Sequence, residues 1–181
     1  MGALVACAPV AARAAGDPWD KDSHWVSVRA GVTKSGATLA PGGSAGYGFG
    51  YTWLLGKNVG WSSTAGYDLL GKYGGAAEFE IPITTDFARH FPMGPTTRLY
   101  LGLGWGVIYH KTYRTGADES GFRQAIYLAT GTNMTLGGSN LVGVDFRYMI
   151  EQDTRSINPT FPNSGASGSV LSLKVSYSRV I

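Results

Sequence analysis

The chain has 181 residues, room for one domain with one core, and only 15% of them are charged, against roughly 25% in soluble domains. After the N-terminus no apolar run reaches the roughly eighteen residues of a membrane-spanning helix, which excludes one. A net charge of +3 carried by scattered basic residues offers no patch for nucleic acid. Aromatics at 12% and 27 glycines, with the apolar residues dispersed, point instead to a β-rich chain.

The opening, MGALVACAPVAARAAGDPWD, reads as an export signal. A short apolar stretch is followed by Ala12-Arg13-Ala14 in A-x-A form and then by polar Asp17, Pro18 and Asp20. The expected division is a truncated signal peptide over 1–14, an N-terminal periplasmic segment over 15–23 and a β-barrel over 24–181. Leu4 to Cys7 also resembles a lipoprotein processing box, a second reading in which the mature protein starts at an acylated Cys7. That cysteine is the chain's only one and lies in the expected signal, so the mature chain cut after it would have none and could form no disulfide.

From His24 onward the hydrophobic period is two, broken by glycine-rich or polar connectors. The first strand sets Val26, Val28, Ala30 and Val32 against Ser27, Arg29 and Gly31. The second sets Tyr47, Phe49, Tyr51, Trp53 and Leu55 against glycines, Thr52 and Leu54. The third sets Val59, Trp61, Ala65, Tyr67 and Leu69 against Ser62, Thr64 and Asp68. The fourth, AAEFEIPITTDFARHF, alternates Phe79, Ile81, Ile83, Thr85 and Phe87 with Glu78, Glu80, Pro82, Thr84 and Asp86. Pro82 removes a ladder donor, which predicts a bulge or similar irregularity there. In the fifth strand Leu99, Leu101, Leu103, Trp105, Val107 and Tyr109 oppose Arg98, Tyr100, three glycines, Ile108 and His110. The sixth is expected to point Ile126, Leu128, Thr130, Thr132 and Met134 outward and Arg123, Tyr127 and Asn133 inward. The seventh sets Val142, Val144, Phe146, Tyr148 and Ile150 against Asp145, Arg147 and Glu151. The last sets Leu171, Leu173, Val175, Tyr177 and Ile181 against Ser172, Lys174, Ser176 and Ser178.

A soluble barrel would show water a Lys- and Glu-rich face. Here the polar face is Gly, Ser, Thr and a few charges of both signs, whereas the apolar face is large and aromatic, as lipid contact requires. The fold expected is all-β, an eight-stranded antiparallel up-and-down transmembrane barrel. Strands of about ten residues tilted near 40° span about 25 Å, the height of an outer-membrane apolar band. Connectors near 34–44, 71–76, 111–121 and 152–168 read as long loops, those at 56–58 and 137–140 as tight turns, and 88–97 as intermediate. This alternation places the N- and C-termini with the short turns in the periplasm. Trp53 and Trp61 are expected in an aromatic girdle at one membrane edge and Tyr67, Tyr109 and Tyr148 toward the other, with Tyr177 a further girdle residue.

EFEIPITTDFARHF, RLYLGLGWGV, GTNMTLGGSNLVGVDFRY and the alternating last strand together resemble the small outer-membrane β-barrel superfamily, the OmpA-transmembrane, OmpX and OmpW-like group. The resemblance covers the chain from about residue 24. It implies residence in the bacterial outer membrane, contact with its lipid and lipopolysaccharide, and delivery by the barrel-insertion machinery. Such barrels usually end in Phe or Trp, whereas this chain ends in Ile181.

An eight-stranded barrel is just wide enough for side chains to fill it. The inward residues include Asp68, Glu78, Glu80, Asp86, Asp145 and Glu151 against Arg29, Arg98, Arg123, Arg147 and Lys174. Near balance predicts a mutually neutralising network rather than the one-sign ring of a selective pore. Glu78 and Glu80 are expected to pair with Arg98 and Arg123. Gly102, Gly104 and Gly106 are expected to make room for Tyr100, Tyr127 and arginines crossing the lumen. The scaffold also carries lipid A palmitoyltransferases and deacylases. Of His24, His90 and His110, only His110 lies near Ser120 and Glu119 across a loop, and the deacylase His-x-Ser signature is absent. No metal-ligand spacing occurs, so no cofactor is expected. The expected function is a non-enzymatic barrel with a closed lumen, serving envelope structure and surface-loop contact. A narrow passive channel for small or hydrophobic solutes is the alternative, and a lipid-modifying enzyme a third reading. No further domain is expected after the last strand.

Overall fold

An alternating strand must give its apolar face an apolar neighbour and its backbone groups a ladder, and a closed barrel supplies the ladder without edges. A computed structural model describes residues 17–35, 44–73, 76–113, 118–153 and 168–181. The expected signal segment with Cys7, and most of the connector at 152–168, lie outside the described residues. The strands are β1 (His24–Ser35), β2 (Ser44–Gly56), β3 (Val59–Tyr73), β4 (Ala76–Pro92), β5 (Thr97–Tyr113), β6 (Glu119–Gly137), β7 (Asn140–Asp153) and β8 (Gly168–Val180). They follow one another in chain order, all antiparallel, and β8 pairs with β1 to close an eight-stranded up-and-down barrel.

The faces are those that period two predicts. Phe49, Leu103 and Val175 are 63%, 70% and 61% exposed on the outside, whereas Asp68 and Glu80 inside are each 1% exposed. The distribution is that of a soluble core turned inside out. One end of the barrel carries the short connections Lys57-Asn58, 93–96 and Gly138-Ser139 together with both ends of the barrel sequence, since His24 pairs with Trp53 and Trp25 with Val180. We call this the turn end and the opposite one the loop end.

The strands are longer than ten residues, from 12 in β1 to 19 in β6. The segments 71–76 and 111–121, expected as loops, are mostly ladder: Tyr73 pairs with Ala76 and Thr112 with Glu119. The physical reason is that extending an existing hairpin fixes residues without any new loop closure. For the same reason β4 continues to Pro92, so the 88–97 connector shrinks to 93–96. The wall therefore stands higher around β3 to β6 than around β1, β2 and β8.

The irregularity expected at Pro82 is present, as an interrupted ladder rather than a bulge. Pro82 keeps its partner Ile108 on β5. On the β3 side Ala65 pairs with Ile83 and Asp68 with Glu80, while the two pairs between them are missing and the register does not change. The donor that proline lacks is thus lost locally. The register shift in this ladder lies farther on, at Leu69/Gly71.

Residues 17–23, expected only as a periplasmic segment, fold back under the turn end. Trp19 is 2% exposed and shares a buried cluster with Trp25, Leu54 and Leu141, against which Val180 packs. The turn that presents it is set locally: the Trp19 amide donates to Asp17 Oδ1 (3.1 Å) and the Asp20 amide to the Asp17 carbonyl (3.0 Å).

Candidate functional site: the lumen

The lumen is filled in layers. Nearest the loop end, Arg123 of β6 gathers three carboxylates. Its Nη1 lies 2.8 Å from Glu80 Oε1 and 3.4 Å from Glu151 Oε2, and its Nη2 lies 3.3 Å from Glu78 Oε1. Below it Lys174 Nζ meets Asp68 Oδ1 at 2.6 Å, a pair of chain segments 106 residues apart. The third layer is centred on Arg147. Its Nε donates to Asp145 Oδ1 at 2.8 Å, its Nη2 lies 3.6 Å from Asp86 Oδ2, and its Nη1 donates to Thr84 (3.0 Å) and Thr64 (3.2 Å). Arg29 Nη1 reaches the second oxygen of Asp145 at 3.5 Å. Tyr100 donates its hydroxyl to Asp145, and Tyr127 donates to Asp86 at 3.0 Å.

Isolated ions in such an interior would cost several kcal/mol each, so the layers persist because every ion has an opposite partner, and Asp86, Asp145 and Arg147 have hydroxyls as well. Tyr127 fits because residue 104 has no side chain: a Cβ built there would collide with its ring and hydroxyl. Gly46 does the same for the Asp68 carboxylate. The hydroxyls of Tyr100 and Tyr127 carry part of the site, although on sequence alone they are bulk to be accommodated.

Arg98 is a correction. It was expected to pair with Glu78 and Glu80, but it opens β5 beside the 93–96 turn, at the opposite end of the barrel. There its Nη1 donates to the Gly94 carbonyl (3.1 Å) and its guanidinium lies 5.4 Å from the Trp19 ring centroid. The reason is register. Glu80 pairs with His110, twelve residues along β5 from Arg98. Without Arg98 the six lumen carboxylates face Arg29, Arg123, Arg147 and Lys174, and the excess acid sits in the Arg123 layer.

At the turn end the lumen changes from ionic to aromatic. Trp19 and Trp25 meet edge to face at 5.0 Å, His90 lies 5.4 Å from Trp19 and 5.7 Å from Trp25, and Tyr100 lies 5.6 Å from His90. Among the described residues are two cavities of about 30 Å³, one against Asp68 and Lys174 and one against His90 and Ser178. Arg29, Asp145 and Arg147 line both and stand between them. Each has room for a water molecule or two. The first also touches Gly48, Gly66 and Pro82 of the wall, where the β3–β4 ladder is interrupted.

Outside, Trp53 stacks near His24 (5.9 Å) and Trp61 meets Tyr51 (6.3 Å) at the turn end, where Tyr177 donates to Asn140 (2.7 Å). Toward the loop end, Tyr67 and Tyr109 belong to a ribbon that also takes in Tyr47, Phe79 and Phe122, with neighbouring centroids 5.3 to 6.3 Å apart across five strands. Tyr148 on β7 makes no stacking contact with these rings among the described residues. His110 faces the lumen while Ser120 is on the outer face of β6, so the wall separates the two; the Glu119 side chain lies outside the described residues. Among the described residues no group of three or more His, Cys, Asp or Glu is arranged to hold a metal.

This architecture, apolar and girdled outside, ionic and filled inside, is the fold of the small eight-stranded bacterial outer-membrane barrels. The chain is similar to Neisserial surface protein A at a TM-score of 0.71 and 12% identity, over 87% of this chain and 97% of that one. It is similar to Ail, the attachment invasion locus protein of Yersinia pestis, at 0.60 and 11% over 88% and 98%. The N-terminal barrel domain of Pseudomonas aeruginosa OprF aligns at 0.59 and 11% over 87% and 98%. No protein-family model matches the sequence, and no curated protein does.

Proposed function

We propose that this chain is a non-enzymatic outer-membrane barrel with a closed lumen, with its termini and short turns in the periplasm and its loop end at the cell surface. Its work is envelope structure and surface contact, in an environment of outer-membrane lipid and lipopolysaccharide reached through the barrel-insertion machinery. The observation that carries the reading is the stack of three ion-pair layers on an aromatic floor, with two cavities of about 30 Å³ each against the Arg147 layer. One of the similar barrels is an attachment invasion locus protein, which supports the loop end as the contact surface. Purified protein in planar bilayers is expected to give no steady, large conductance steps; such steps would overturn the closed lumen.

A second reading is a narrow passage for small or hydrophobic solutes. The feature that favours it is the cavity reaching the wall at Gly48, Gly66 and Pro82, where two ladder pairs are missing. A solute taking that route would leave sideways into lipid without crossing the Arg147 layer.

A further inference from the structure

We propose that Asp17–Ser23 is a built-in cork that seals the turn-side mouth of the lumen, with Trp19 as its stopper. The segment has the make-up of a plug. Pro18 and Trp19 are buried, while Asp17, Asp20, Lys21 and Asp22 around them are exposed, so an apolar tip enters the barrel and a charged cap faces water. Burying an indole at a rim where water is available is favourable only against a fitted seat, and the seat is fitted on several sides. Trp25 donates its indole N–H to the Pro18 carbonyl (3.0 Å), and Arg98 lies over the Trp19 ring. The Asn58 amide donates to the Trp19 carbonyl (3.3 Å), the Asp22 amide to the Leu54 carbonyl (2.8 Å), and the Leu54 amide to the Ser23 carbonyl (2.9 Å). One short segment thereby ties β1, β2, the β2–β3 turn and β5, and Trp19 packs on Trp25 and His90, two of the residues that line the lower cavity, the one against His90 and Ser178.

Asp22 and Asn58 both take left-handed backbone conformations, with φ of 64° and 63°. Asn and Asp are the non-glycine residues that tolerate this best. At Asp22 it reverses the chain from the stopper into β1. At Asn58 it aims the amide at the cork while the carbonyl accepts from the His90 amide (2.7 Å). The turn is shaped to hold the cork as well as to join two strands.

The absence of any cysteine other than Cys7 makes the test clean. In a full-length Cys7→Ser background, Ser178→Cys places one thiol on the lower cavity, at a position now 5% exposed. Its rate of modification by a small cationic methanethiosulfonate reagent is measured in the folded barrel, with heat-shifted gel mobility confirming the fold. With the cork intact the thiol is expected to be protected; with Trp19→Ala it is expected to react about tenfold faster or more. An unchanged rate in a folded Trp19→Ala protein would overturn the cork. Should Trp19→Ala not fold, oriented proteoliposomes carrying the intact cork decide: rapid labelling of Ser178→Cys from the turn side refutes it, and protection supports it. The result is independent of the closed-lumen reading, because conductance reports the ion-pair layers and thiol labelling reports the turn-side mouth.

Discussion

Lys174 and Asp68 form the simplest layer of the lumen, one ammonium on one carboxylate at 2.6 Å with both side chains almost wholly out of water. Breaking a buried pair by removing one partner costs about 3–5 kcal/mol, because the other ion is left without compensation, whereas replacing both with apolar residues is often neutral. Lys174→Met and Asp68→Leu are therefore each expected to destabilise the barrel by about that amount, and the double variant to recover most of it. Unfolding by guanidinium in lipid vesicles measures this, and single variants within about 0.5 kcal/mol of the parent would show that the lumen is wet enough to solvate a lone ion. Asn58 offers a second residue-scale check. Asn58→Ala is expected to cost roughly 1–2 kcal/mol for its left-handed backbone, while Asn58→Gly keeps the conformation and stays near the parent in the same unfolding experiment.

Among the elements, β4 shows how far period two can be read. Its apolar and acidic faces, Phe79 to Phe87 against Glu78 to Asp86, are visible in the alternation alone, and the proline among them announces a ladder defect. What alternation cannot tell is which neighbour loses its bond, because that depends on pairing with β3 and β5 together. The structure puts the loss on the β3 side. Pro82→Ala restores an N–H, and the expected outcome is a continuous β3–β4 ladder with slower amide exchange at the Gly66–Tyr67 step. If solutes leave through this wall, the same substitution lowers their flux; unchanged flux with slowed exchange would remove the lateral passage as a reading. The loops were the least legible elements. Thr, Tyr and Phe near 71–76 and 111–121 are as compatible with a strand as with a connector, and only the partner strand decides between them.

At the scale of the whole molecule, both ends of the barrel sequence lie with the short turns. In the proposed orientation a C-terminal epitope tag is expected to be unreactive to antibody on intact cells and reactive after the outer membrane is permeabilised. Labelling on intact cells would invert the topology.

The sequence by itself determined the number of strands, the inward and outward face of each, and that the apolar side faces out, because these follow from a period of two and need only adjacent residues. The tertiary structure alone decided which charges meet. Arg29 and Asp145 are 116 residues apart, and their meeting depends on the stagger of the six ladders from β1 round to β7 and of the two through β8 that close the barrel. A one-residue difference in any of those ladders moves an ion to another layer or to the other face. Closure also makes the mouth into which the Trp19 segment folds, a place that does not exist until β8 has paired with β1.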